Sequence, residues 1–128
     1  MSVFRTSLML AALVAGTVSA AGLQAHAKLV ASNPAANATV AAPTRLQLRF
    51  DEQLVARGSA IEMFMTARPG AKLAGPLNIG VTARLAPDSK TLVVPLHKAL
   101  ATGTYLVAWH ATTSDHERKN GTFRFTVR

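Results

Sequence analysis

Leu46, Leu48 and Phe50 alternate with Arg45, Gln47 and Arg49, and the same two-residue repeat returns along most of the chain. Ile61, Met63 and Met65 alternate with Glu62, Phe64 and Thr66. Ile79, Val81, Ala83 and Leu85 alternate with Gly80, Thr82 and Arg84. Tyr105, Val107 and Trp109 alternate with Leu106, Ala108 and His110, and Phe123, Phe125 and Val127 with Arg124, Thr126 and Arg128. Successive side chains of an extended strand point to opposite faces, so each run reads as a strand buried on one side. Thr91 to Leu96 is a further apolar run, and Pro95 near its end suits an edge or a strand terminus. No helix of useful length is visible.

Turn chemistry separates the runs. Asn33-Pro34-Ala35-Ala36-Asn37 follows a first short strand, Lys28 to Ser32, and Arg68-Pro69-Gly70 ends the Met-bearing strand. Ala86-Pro87-Asp88-Ser89-Lys90 reads as a tight turn, and Lys119-Asn120-Gly121 as a hairpin signal before the last strand. Ala67 to Asn78 is the least regular segment and reads as a loop. About seven short strands at this spacing predict an all-β fold, a seven-stranded antiparallel Greek-key β-sandwich or barrel of immunoglobulin-like type. Tyr105 follows a Gly-containing corner at a strand start, where such sandwiches bond a Tyr hydroxyl to upstream backbone.

The first residues do not fit this pattern. Arg5 is the single charge before an uncharged, Ala-rich run from Ser7 to Leu23, and small residues follow at Ala20, Ala21, Gly22 and Ala25. A basic start, a short apolar middle and small residues at its end read as a secretory signal peptide, residues 1–25, followed by one domain, residues 26–128. Cleavage fits before Ala21, before His26 or before Lys28. The second makes His26 the mature N-terminus, and the third deletes it. The remaining chain is long enough for one small domain with one core. It has no Cys, so it must hold by packing alone, and any metal site must use His, Met, carboxylate or backbone groups.

The formal net charge is +8. The basic residues are scattered singly, with one adjacent pair at Arg118-Lys119, and no basic run interleaves with aromatics. That spread argues for a solvated surface and against a nucleic-acid partner.

The ordered set of segments resembles the CopC/PcoC family of periplasmic copper-resistance proteins. His26-Ala27-Lys28-Leu29-Val30-Ala31-Ser32-Asn33-Pro34-Ala35 resembles the family's mature start, of the form His-x-x-Leu-x-x-Ser-x-Pro-Ala. Ala42-Pro43 with Leu46 to Leu54 resembles its second strand, and Met65 to Gly70 its middle. Leu100 to Trp109, Ser114-Asp115 and Gly121 to Val127 resemble its end. The resemblance spans essentially the whole mature chain. It implies a Greek-key β-barrel or sandwich, a periplasmic address and a copper carrier that hands its ion to an inner-membrane copper transporter or another periplasmic copper protein. A monomer is expected.

The resemblance also implies two copper sites. One holds Cu(I) on a Met-rich loop with a His. Here Arg68, Ala71, Lys72 and Leu73 stand where Met and His are expected, and Met63 and Met65 share a face with Ile61, which reads as core packing. A Cu(I) site is therefore not expected. The other site holds Cu(II) through the amine and imidazole of an N-terminal His, plus an Asp and a His from a late Ser-Asp-x-His segment. His26 and Asp115 match, but the position of the late His holds Glu117, and His116 stands one residue early. In an extended segment Asp115 and Glu117 share a face and His116 points away. Three readings stay open: a local bulge turns His116 into the ligand position, Glu117 supplies an oxygen ligand, or the site has decayed. The metal residues expected are thus His26, Asp115, His116 and Glu117. His97 and His110 read as structural.

Three functions compete. A Cu(II) carrier needs no catalysis. A copper monooxygenase would share the N-terminal His but needs a second firmly placed His and a broad substrate surface, so no enzyme is expected. A metal-free interaction module would suit a decayed site, since fold alone does not fix function.

Overall fold

The computed structural model describes residues 28–128. The expected signal segment, its expected cleavage points and His26 lie outside the described residues. Among the described residues nine strands run in chain order: β1 Leu29–Asn33, β2 Thr39–Val40, β3 Arg45–Phe50, β4 Leu54–Ala67, β5 Leu77–Ile79, β6 Arg84–Leu85, β7 Thr91–Pro95, β8 Gly103–Thr113 and β9 Arg118–Val127. They form two sheets, β1-β3-β7-β6 and β2-β9-β8-β4-β5. The pairings are antiparallel except β2 with β9, which is parallel. This is the expected all-β sandwich, with the added strands being the two-residue pieces β2 and β6.

The alternation becomes the core. Leu46, Leu48 and Phe50 of β3 and Leu92 and Val94 of β7 face Ile61, Met63 and Met65 of β4, with Tyr105, Val107, Trp109 and Ala111 of β8 and Phe123, Phe125 and Val127 of β9. Burying a side chain such as Met63, 0% exposed, contributes about 1.5–3 kcal/mol. Phe50 meets Trp109 edge-on at a ring-centroid distance of 4.9 Å, and Tyr105 stacks on Phe125 at 5.5 Å. The Tyr105 hydroxyl donates to the Ala101 carbonyl at 2.6 Å, the expected corner bond.

The segment read as a loop, Ala67 to Asn78, gives up its last two residues to β5, and two larger expectations change. The run from Ile79 to Leu85 keeps its alternation in burial, but it is not one strand. β5 belongs to the five-stranded sheet and β6 to the four-stranded one, so Gly80 to Ala83 carry the chain from one layer to the other. Such a corner keeps inward residues inward while changing hydrogen-bond partners. The second change concerns Lys119-Asn120-Gly121, which is not a turn. These residues lie inside β9, paired with Ala111, His110 and Trp109. Gly121 is there because a Cβ would come within 2.6 Å of the Trp109 ring. It makes room for the indole and does not reverse the chain.

Candidate metal centre

The hairpin between β8 and β9 turns instead at Ser114-Asp115-His116. The Thr113 carbonyl accepts the His116 N–H at 2.9 Å, and the Thr113 N–H donates to the Glu117 carbonyl at 2.9 Å. His116 has φ 69°. This is a three-residue loop in which a type I turn is followed by a left-handed residue that forms a bulge. Glycine is the usual occupant of that last position, because a side chain there is strained. Thr113 is fully buried, and its hydroxyl oxygen accepts the Glu117 N–H at 3.1 Å, which fixes the far side of the loop. Asp115, His116 and Glu117 are all exposed.

The extended geometry that would set Asp115 and Glu117 on one face against His116 therefore does not apply here. A bulge is present, and its left-handed residue is His116 itself.

The start of β1 reaches the same end of the sandwich. Lys28 donates its N–H to an Asp51 carboxylate oxygen at 2.8 Å, and its carbonyl accepts the Asp51 N–H at 3.1 Å. Two residues on, the Gln53 carbonyl accepts the Ser114 N–H at 3.0 Å. The short link from Asp51 to Gln53 is thus bonded to the chain just after His26 on one side and to the late loop on the other. Asp51 and half-buried Glu52 were not singled out from the sequence. The available signal was an acidic pair directly after an alternating strand, in a chain with six acidic residues. Among the described residues, no three His, Cys, Asp or Glu side chains are grouped as a metal ion would require.

The other residues considered as ligands lie elsewhere. Met63 and Met65 are 0% and 3% exposed and belong to the core, as expected. His110 is exposed on β8, opposite Asn120 of β9 and Ala60 of β4. His97 follows β7 and lines a cavity at the far end of the sandwich.

The family model for the CopC domain matches residues 29–128. The chain belongs to the CopC domain family. This CopC-domain chain is 36% identical to copper resistance protein C of Xanthomonas campestris pv. juglandis over 128 residues, the whole of both chains. Its fold is similar to that of PcoC, a methionine rich copper resistance protein from Escherichia coli, with a TM-score of 0.72 and 34% identity over 81% of this chain and 100% of that one. It is also similar to CopC from Methylosinus trichosporium OB3b, with a TM-score of 0.68 and 28% identity over 80% of this chain and 93% of that one.

Proposed function

We propose that this CopC-domain chain is a periplasmic copper-binding protein of copper resistance that carries Cu(II). The observation that carries the reading is the pair of backbone links described above, Lys28 to Asp51 and Gln53 to Ser114. Two residues of extended chain span at most about 7 Å. A chain cut before His26 would therefore begin within that distance of Lys28, at the end of the sandwich that holds Asp115, His116 and Glu117. Its amine and imidazole are both nitrogen donors that suit tetragonal Cu(II), and a carboxylate from the late loop adds an oxygen.

His116 is the late nitrogen ligand in this reading. The left-handed bulge gives it a direction that an extended strand would not, and its exposure leaves the ion exchangeable. The core burial of Met63 and Met65 supports Cu(II) over Cu(I), since neither thioether is presented on a loop. The amine must lose its proton to bind, at a reference pKa of about 7.7–8.0, so affinity falls as the solution is acidified. The proposed role is carriage and exchange of the ion, with delivery to a membrane transporter or another periplasmic copper protein, and it requires no chemical step.

The test is a Cu(II) titration of protein exported and processed in cells, with its N-terminus read by mass spectrometry. A chain starting at His26 that binds one Cu(II), weakened by His26→Ala and by His116→Ala but little by Glu117→Ala, is the expected result. A start at Lys28, or binding no better than that of a surface-His control protein, sinks the carrier reading and leaves a metal-free interaction module.

A further inference from the structure

A cavity of about 610 Å³ opens between the sheets at the end far from the Ser114–Glu117 loop. Along β8, Tyr105 at the cavity and Thr113 at the loop are roughly 27 Å apart, at ~3.4 Å per residue. The volume is within the usual range for small-molecule sites, about 300–1,000 Å³. The cavity exists because the chain changes sheets here. β5 ends the five-stranded sheet, the crossing from Gly80 to Ala83 spans the layers, and the Leu96 to Ala101 segment forms the opposite wall.

Its chemistry is two-sided. Met65, Ile79, Val81, Leu96 and Leu100 supply an apolar wall, and Leu77, an exposed large apolar side chain at 49%, stands at the lip. Arg68, His97 and Lys98 are the ionisable nitrogen groups of the lining, and no Asp or Glu lines it among the described residues. Tyr105 also lines the cavity, but its proton is already committed to the Ala101 carbonyl. Burial raises the Tyr105 pKa, against the hydrogen bond to Ala101 and the Arg68 charge, which both lower it. The unmatched positive charge at the mouth of an apolar space selects the occupant. A cation is repelled, and a neutral hydrocarbon gains nothing from these exposed nitrogen groups, whereas an anion is attracted to them.

We propose that this cavity binds an amphipathic carboxylate, with its hydrocarbon body between the sheets and its anionic head at Arg68 and Lys98. The planar guanidinium of Arg68 offers the paired donors that a carboxylate accepts. This site is separate from the copper end, and its test does not depend on copper.

The experiment is an amide NMR titration of the metal-free mature chain with sodium decanoate below its micelle concentration, with butyrate and 1-decanol run in parallel. Saturable one-to-one shifts in residues 77–82 and 96–101 are expected. Each methylene buried strengthens binding by up to about fourfold, so butyrate binds far more weakly. Arg68→Ala removes an exposed side chain and one charge-assisted contact. It should weaken decanoate about tenfold or more and leave 1-decanol unchanged. Shifts that do not saturate, or that spread over the outer sheet faces, overturn the site. Equal affinity for decanoate and 1-decanol, or no effect of Arg68→Ala, overturns its assignment to a carboxylate.

Discussion

The two ends of the sandwich are built from the same strands and have opposite characters. At the Ser114–Glu117 end the strand ends are tied by backbone bonds, Lys28 with Asp51 and Gln53 with Ser114 within the two sheets and Leu54 with Ser89 between them. The core beneath is closed by the Phe50–Trp109 pair. Polar side chains then project outward from a short loop. At the other end the chain wanders between layers, the loops stand apart, and a cavity opens beside Tyr105. A sandwich has two sets of loops. One set here is tight and presents donor groups, while the other is open and presents apolar surface with cations at its rim.

The largest test of this contrast is truncation of an anchor at each end. Trp109→Ala should cost about 3–5 kcal/mol in urea unfolding, because the indole sits in a packed layer against Phe50 and over Gly121. Leu100→Ala at the cavity wall should cost less than about 2 kcal/mol, since Leu100 is only half-buried and borders existing space. Equal losses would mean that the cavity end packs as tightly in solution as the Ser114–Glu117 end.

Tyr105→Phe comes next. It leaves the Ala101 carbonyl without its donor, for a loss of about 1–2 kcal/mol. The Tyr105 pKa is raised in the folded chain, chiefly by burial. Its share of stability is then fully present below the unfolded pKa of about 10 and is lost as pH rises through the folded value. Alkaline unfolding curves should show that loss in the wild type, and Tyr105→Phe should lack it.

The smallest effect sharpens the Ser114–Glu117 end. His116→Gly places the preferred residue at φ 69° and should stabilise the metal-free chain by about 1 kcal/mol in a thermal melt. His116→Asn, which tolerates the same conformation, should leave the melt nearly unchanged. Both variants should lose Cu(II) affinity if the imidazole is a ligand. Full affinity in both would assign His116 to the turn alone.

Much of the fold was legible because a strand buried on one face writes its burial into the sequence at every second residue. Leu46 to Phe50, Ile61 to Met65, Tyr105 to Trp109 and Phe123 to Val127 read correctly residue by residue, and so did the Tyr105 corner. Asn120-Gly121 did not. The same dipeptide that serves a tight turn also serves a strand that must pass under an aromatic ring, and local chemistry does not separate the two. The run from Ile79 to Leu85 gave the right face but the wrong continuity, because alternation records which way a side chain points and not which strand its backbone joins.

The sequence by itself determined the all-β class, the membership of the core and the residue types of the Ser114–Glu117 loop. Each of these follows from local periodicity or from the donor chemistry of single side chains. Only the tertiary structure decided where the β8–β9 hairpin turns, that His116 takes a left-handed conformation, and that Lys28 and Ser114 are tied through Asp51 to Gln53. It alone also created the cavity beside Tyr105. These depend on hydrogen bonds between residues far apart in the chain, such as the 23-residue separation of Lys28 and Asp51, and no local pattern encodes such pairings.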